Sequence, residues 1–220
     1  MPIFFQHQIN ETTRLGIWKI EENEDFFLGN VPLQKEVTHP HKRLQHLAGR
    51  FLLQFLFAGF PYELIRIADT NRPYLPNEQY HFSISHGGDY AAAIVSSTQR
   101  VGIDIEFPME RIRLIAKKFL SQFEHRYLAN ENRPLVQRTV STQDAETIFL
   151  TFLWCAKESI FKWYGLGRVN FSNHISLRDD IAMRQDDLLE MPFVFDKEKP
   201  IGLTVYGHIL PPLVLTWVMS

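Results

Sequence analysis

The sequence predicts an α+β fold made of two pseudo-symmetric α/β halves, residues 1–106 and residues 107–220. Short apolar runs bounded by turn residues indicate strands, and longer segments with apolar residues at three- and four-residue spacing indicate helices. The order is strands, helix, strands in the first half and helix, helix, strands in the second. Because ligand sites favour such junctions, we expect the active site in a cleft between the halves.

The first half begins with two predicted strands, IFFQHQI and RLGIWKI, and NETT forms the turn between them. The spacing predicts a helix over residues 44–57, LQHLAGRFLLQFLF, which Gly59 and Pro61 end. Three further strands follow, in YHFSISHGG, YAAAIVSS and VGIDIEF. We expect the last two to form a tight hairpin at Thr98 and Gln99.

The second half is predicted to begin with a helix over residues 114–128, followed by a polar connection over residues 134–146. A second helix is predicted over residues 147–164, and Gly165 and Gly167 end it. The final segment, IGLTVYGHILPPLVLTWVMS, indicates two strands on either side of a double proline.

Composition excludes several classes of protein. The 220 residues include 45% hydrophobic residues, which excludes a disordered chain, and no apolar run is long enough for a membrane helix. The single cysteine, Cys155, excludes an internal disulfide, and its apolar neighbours indicate a buried thiol without a catalytic role. The net charge of −2 argues against a nucleic-acid-binding protein. We therefore expect a soluble cytoplasmic protein.

Two acidic residues lie on one predicted strand. Side chains alternate along a strand, so Asp104 and Glu106 share one face, and Ile103 and Ile105 share the other. Like charges this close resist joint ionisation unless a cation lies between them, and carboxylate oxygens suit Mg²⁺. The alternative is an edge strand with a solvated acidic face.

A second charged group lies in the apolar helix WCAKESIFKW. Trp154, Glu158 and Lys162 follow at four-residue spacing and form one stripe, with Lys157 beside it. A helix that is apolar on nearly all sides is buried, and a buried carboxylate must be paired or bound to metal. The alternative is a helical Glu-Lys pair worth only about 0.2 to 0.5 kcal/mol.

Candidate phosphate ligands precede these two elements. His86, in SISHGGDY, ends a strand beside a Gly-Gly turn, where an imidazole and backbone N-H groups can meet an anion. Arginine suits phosphate because its planar guanidinium is always charged; the candidates are Arg43, Arg50, Arg66 and Arg72. His86 alone is equally compatible with a hydrogen bond to a local carbonyl, and each arginine taken singly fits a surface position better than a phosphate site.

Taken together, RPYLPNEQYHFSISHGGDYAAAIV, VGIDIE and WCAKESIFKWYG resemble the 4'-phosphopantetheinyl transferases of the two-half monomeric type that activates nonribosomal peptide synthetases. The resemblance covers about residues 42–167. It implies transfer of phosphopantetheine from coenzyme A to a serine of an apo acyl or peptidyl carrier protein, with release of adenosine 3',5'-bisphosphate. It also implies Mg²⁺ as the metal and a monomer as the oligomeric state.

The resemblance implies a role for each motif residue. Asp104, Glu106 and Glu158 would hold the metal, and Glu158 would also deprotonate the serine. Lys162 would contact the pyrophosphate. The residues assigned to coenzyme A are Arg43, Arg50, Arg66, Arg72, Ser85, His86, Lys157 and Lys162.

Carrier proteins of this kind present an acidic helix, so a basic segment is expected to receive them. The candidates for the contact are Arg111, Arg113, Lys117 and Lys118, with Phe119 and Leu120 as apolar contacts. A solvated helix face explains the same residues equally well. For the whole chain, two alternatives remain: an inactive homologue that binds coenzyme A or carrier protein, and an unrelated magnesium-dependent phosphohydrolase.

Overall fold

The fold is that of a computed structural model, which describes residues 2–31, 33, 37–129 and 142–220, without the side chains of 142–144. Helix and strand each account for 34% of the described residues, which confirms the α+β class. The chain divides into two compact units, Met1–Ile103 and Asp104–Ser220, and each has its own hydrophobic core.

The strands of the first unit are β1 (Ile3–Gln8), β2 (Thr13–Lys19), β3 (Arg66–Ile67), β4 (Pro73–Tyr74), β5 (His81–Gly87) and β6 (Tyr90–Ser96). Four of them form an antiparallel sheet in the order β1-β2-β6-β5. The helices of this unit are α1 (Glu24–Leu28) and α2 (Pro40–Leu56), with a 3-10 turn at Tyr62–Leu64. The short strands β3 and β4 pair with each other.

Helix α2 packs on this sheet through its apolar stripe, which includes Leu47, Leu52 and Leu53, all fully buried. The helix begins four residues before the predicted start because Pro40 occupies its first turn, where a missing N-H does no harm. Gly49 allows a close approach to the sheet: a Cβ there would lie 2.7 Å from Ile84 Cγ2. The first core therefore lies between α2 and the sheet.

The strands of the second unit are β7 (Val101–Glu106), whose first three residues belong to the first unit, β8 (Ile175–Leu177), β9 (Ala182–Met183), β10 (Leu189–Asp196), β11 (Pro200–Leu210) and β12 (Leu213–Met219). They form a larger sheet in the order β7-β12-β11-β10-β8, and β9 pairs with β10. The helices of this unit are α3 (Ile112–Phe119), α4 (Gln122–Ala129), α5 (Thr142–Tyr164) and α6 (Phe171–His174), with a 3-10 turn at Gln185–Asp187.

The predicted hairpin at Thr98 and Gln99 is wrong. Strand β6 pairs with β2 and β5, whereas β7 belongs to the sheet of β12. The chain does turn between β6 and β7, but it leaves one sheet there and enters another.

The predicted helix over residues 114–128 is two helices, because a capping box starts α4. The N-H of Ser121 donates to Glu124 Oε2 at 2.7 Å, and the N-H of Glu124 donates to Ser121 Oγ at 3.3 Å. Helix α5 begins at Thr142, so residues 142–146 are helical instead of a polar connection, and residues 130–141 lie outside the described part of the chain.

No helix in the described residues is both long enough and apolar enough to cross a lipid bilayer.

Candidate active site

The two strand acids lie at the end of β7, inside the second unit. Asp104 is 4% exposed and Glu106 is half-buried, so the alternative of a solvated acidic face does not hold. Ile103 and Ile105, on the opposite face, are also buried. The strand therefore holds both carboxylates away from bulk water.

Two side chains of α5, Lys162 and Trp154, form hydrogen bonds with these acids. Lys162 Nζ donates to Asp104 Oδ1 at 2.7 Å, and Trp154 Nε1 donates to Glu106 Oε1 at 3.0 Å. Glu158 lies between Trp154 and Lys162 on the same stripe, one helical turn from each. One helix thus brings a hydrogen-bond donor to each strand acid and a third carboxylate between them.

Two of the three acids, Glu106 and Glu158, have raised pKa values. Burial, followed by the charges of Asp104 and Glu106, raises the pKa of Glu158 from 4.5 to about 7, although the Lys162 ammonium acts in the opposite direction. Burial and the charge of Asp104 also raise the pKa of Glu106. Glu158 can therefore accept a proton near neutral pH, and the group would gain from a further cation.

Lys157, one residue before Glu158, points in another direction and has a structural role. Its side chain is fully buried and forms an ion pair of 2.7 Å with the equally buried Glu124. Its Nζ also donates to the carbonyl oxygens of Phe119 at 2.7 Å, Ile175 at 2.6 Å and Phe171 at 3.1 Å. This replaces the coenzyme A contact predicted from the motif, because the buried ammonium is already surrounded by acceptors.

The candidate phosphate ligands lie in the first unit, and Arg43 and Arg50 differ in how many of their guanidinium N-H groups already have partners. The guanidinium of Arg43 donates to both carboxylate oxygens of Glu24 at 2.8 Å and to the carbonyl of Val37. Arg50 is 5% exposed, and its Nη1 donates to His46 Nδ1 at 3.1 Å. Its Nε is buried without a hydrogen-bond partner among the described residues, so Arg50 is the better candidate for an anion.

Arg66 and Arg72 also have different surroundings. Arg66 is exposed, and its Nη1 donates to two carbonyl oxygens at 3.3 Å. Arg72 is half-buried near Arg100, and burial together with that second cation lowers its pKa. Arg72 and Arg100 also help to lower the pKa of the nearby His81, after the larger effect of burial. Arg72 therefore lies in a positive region that an anion would stabilise.

Ser85 and His86 do not point the same way. They are consecutive residues of β5, so their side chains lie on opposite faces of the sheet. Ser85 is buried and His86 is exposed. His86 shares its face with Phe82 and Ile84, which pack against the first core that α2 builds.

A groove of about 410 Å³ lies beside Glu106 in the second unit, and sequence reasoning missed it. Apolar side chains dominate its lining, and two of them are exposed: Leu114 is 83% exposed and Met109 is 43% exposed. The lining residues are Glu106, Phe107, Met109, Arg111, Ile112, Leu114, Ile115, Thr151 and Trp154. The signal in the sequence is Leu114, an apolar residue on a helix otherwise rich in exposed cations.

Only some of the residues predicted to contact a carrier protein are exposed to solvent. Arg111, Lys117 and Lys118 are exposed. Arg113 forms an ion pair of 3.0 Å with Glu146. The apolar contacts predicted at Phe119 and Leu120 are wrong, because these side chains are 1% and 4% exposed and belong to the core.

Comparison with known proteins identifies the family. The model of the 4'-phosphopantetheinyl transferase superfamily matches residues 100–200, which contain the strand acids and the α5 stripe. A Haemophilus influenzae protein named for 4'-phosphopantetheinyl transferase activity is 31% identical over 76% of this chain and 69% of its own length. This chain belongs to the 4'-phosphopantetheinyl transferase superfamily. The family and enzyme class predicted from the motifs are thereby confirmed.

Two further relatives are similar over shorter stretches. The 4'-phosphopantetheinyl transferase Sfp of Bacillus subtilis is 31% identical over 67% of this chain and 65% of its own length. Enterobactin synthase component D of Escherichia coli K12 is 33% identical over 55% of this chain. The chain spans only about half, 54%, of that relative's length.

The donor set of this transferase fits a magnesium ion in chemical type. Asp104, Glu106 and Glu158 supply hard carboxylate oxygens. Burial and the charge of Asp104 raise the pKa of Glu106 and that of Glu158, so a cation bound beside them would favour their ionised forms. Within residues 2–31, 33, 37–129 and 142–220, no three His, Cys, Asp or Glu side chains form a ready metal cage. Mg²⁺ needs no such cage, since it usually binds one or two carboxylates together with water and substrate phosphates.

Proposed function

We propose that this transferase moves the 4'-phosphopantetheine group of coenzyme A to a serine hydroxyl of an apo carrier protein and releases adenosine 3',5'-bisphosphate. The observation that carries the proposal is the grouping of Asp104, Glu106 and Glu158 with Lys162 in one unit. Family membership supports transfer of phosphopantetheine in general. Coenzyme A as donor, serine as acceptor and adenosine 3',5'-bisphosphate as product are the further parts of the proposal.

In the proposed reaction, Glu158 takes the proton of the serine hydroxyl. The serine oxygen then forms a bond to the phosphorus that carries pantetheine, and the bond from that phosphorus to the bridging oxygen breaks. The electron pair stays on the oxygen of the departing adenosine bisphosphate. A base with a pKa of about 7 suits this step at neutral pH.

Lys162 stabilises the charge that develops on the pyrophosphate. Its side chain is 25% exposed, whereas that of Asp104 is 6% exposed, so the ammonium group can reach a ligand while Asp104 holds it. Asp104, Glu106 and Glu158 are the residues that would hold Mg²⁺. The metal, when bound, neutralises phosphate oxygens during phosphoryl transfer.

For the phosphates of coenzyme A we propose Arg50, Arg72 and His86 in the first unit. Arg50 is buried with an unsatisfied Nε, and Arg72 lies near a second cation. Arg43 has a carboxylate partner already and Arg66 is exposed, which makes both weaker candidates.

For the carrier protein we propose the groove beside Glu106 together with the exposed cations of α3. The exposed Leu114 offers an apolar contact, and Arg111, Lys117 and Lys118 offer positive charge to an acidic helix. A monomeric state and a cytoplasmic location remain predictions from the sequence.

The test is to incubate the protein with coenzyme A, Mg²⁺ and several apo carrier proteins and to measure the intact mass of each carrier. We expect a phosphopantetheine adduct. Glu158→Gln should lower turnover by about 100-fold or more and leave coenzyme A binding measurable, because a general base contributes about 10² to 10⁴. The exposed Glu198→Gln is the matched control.

The outcomes separate the candidate functions. Bound coenzyme A without any adduct would indicate the inactive homologue. Pyrophosphate hydrolysis that does not depend on carrier protein would indicate a phosphohydrolase. Near-normal turnover of the Glu158→Gln protein would remove Glu158 from the role of base.

A further inference from the structure

We infer that Trp154 is a positioning residue for Glu106: its indole N-H holds one oxygen of this carboxylate and leaves the other for the metal. The inference rests on the proposed function, because Glu106 is a metal ligand only there. Trp154 Nε1 lies 3.0 Å from Glu106 Oε1, and the two residues are 48 positions apart in the chain. Indole has a single polar hydrogen, so this one bond uses the whole donor capacity of the side chain.

The surroundings of the indole hold it in this orientation. Its ring meets the ring of Phe119 edge to face, with centroids 5.3 Å apart, and the ring of Phe171 at 5.4 Å. These contacts come from two different helices, α3 and α6, and restrict rotation of the indole. The N-H therefore points at Glu106 because of packing and not only because of attraction.

The arrangement repeats along the stripe of α5. Lys162 donates to Asp104 in the way that Trp154 donates to Glu106, and Glu158 lies between the two donors. A charged donor at Glu106 would neutralise it, whereas the neutral indole orients the carboxylate and keeps its negative charge available to a cation. Groups that orient metal ligands in this way commonly change metal affinity by about 10- to 100-fold when removed.

Without the indole N-H, Glu106 has a competing partner. The charge of Arg111 already favours the ionised form of Glu106, and both side chains line the groove. A carboxylate released from Trp154 would turn toward this guanidinium, and the metal site would lose a correctly oriented oxygen.

The experiment compares Trp154→Phe with Trp163→Phe in the full chain. Trp163 is the matched control because it lies on the same helix and its Nε1 also donates at 3.0 Å, but to Ser220 Oγ. Each variant loses one indole N-H and keeps an aromatic ring. Thermal unfolding of both variants shows whether either change lowers the stability of the folded protein.

Metal binding is measured without turnover, by titrating MnCl₂ in the presence of coenzyme A and absence of carrier, and following free Mn²⁺ by electron paramagnetic resonance. We expect Trp154→Phe to weaken Mn²⁺ binding by about 10-fold or more, and Trp163→Phe by less than about 2-fold. In a Glu106→Gln background, Trp154→Phe should add no further weakening, since the oriented carboxylate is gone.

The Mg²⁺ dependence of turnover provides the second measurement. Trp154→Phe should raise the Mg²⁺ concentration required for half-maximal rate by a similar factor and leave the KM for coenzyme A at saturating Mg²⁺ within about 2-fold. Equal metal affinities of the two variants, with normal transfer by the parent, would overturn this inference alone. A parent protein that transfers nothing would overturn the proposed function, and the inference with it.

Discussion

In the metal-free protein, Glu158→Gln should increase stability at high pH, because the ionised carboxylate lies in unfavourable surroundings. Burial and two neighbouring acids raise the pKa of Glu158 from 4.5 to about 7. The folded protein therefore binds more protons than the unfolded chain between these two values, and the free energy of unfolding falls as pH rises through that window. Glutamine has no proton to lose and avoids this fall.

The magnitude follows from the two pKa values. They differ by 7 − 4.5 = 2.5, which corresponds to about 3 to 4 kcal/mol at about 1.4 kcal/mol for each pKa unit. Because the window begins slightly below pH 5, a comparison of pH 5 with pH 8 captures about 2 to 3 kcal/mol of it.

The assay is urea unfolding of the parent protein and the variant at both pH values, with a chelator present to remove divalent metal. The stability of the variant relative to the parent should be greater at pH 8 than at pH 5 by the amount given above. The exposed Glu198→Gln controls for loss of a carboxylate at the surface. The reasoning is refuted if the difference between variant and parent is the same at both pH values.

Two further predictions concern the second unit. Lys157→Met should lower the free energy of unfolding by about 3 to 5 kcal/mol, measured by urea unfolding, because Glu124 would stay buried without its cation; a loss below about 1 kcal/mol would contradict the structural role. Leu114→Asp should raise the KM for an acidic carrier by about 5-fold or more and leave the KM for coenzyme A and the Tm unchanged. The 66% exposed Leu166→Asp is its control, and equal effects of the two changes would argue against docking at the groove.

Local patterns predicted most elements of this fold. The strands β1, β2, β5, β6 and β7 lie where apolar runs between turn residues indicate them, and α2 and α5 follow their apolar periodicity. Errors occur where two local signals compete. The apolar periodicity of residues 114–128 suggested one helix, but the capping box of Ser121 and Glu124 starts a new one.

The residues of the candidate site were predicted better than their roles. The four-residue spacing of Trp154, Glu158 and Lys162 predicted that they share one face of a helix. All three lie in α5, at positions that share a face. The same motif suggested a ligand role for Lys157. Its position one residue before Glu158 turns it by about 100° around the helix, toward Glu124 instead.

By itself, the sequence determined the family, the types of the main elements and the set of charged residues that form the site. These properties depend on spacing along the chain, which residue order shows directly. The tertiary structure alone decided that β7 joins the sheet of β12 and that Trp154 binds Glu106 and Lys157 binds Glu124. Such contacts join residues far apart in sequence, and no local pattern determines which distant partners the packing of the core brings together.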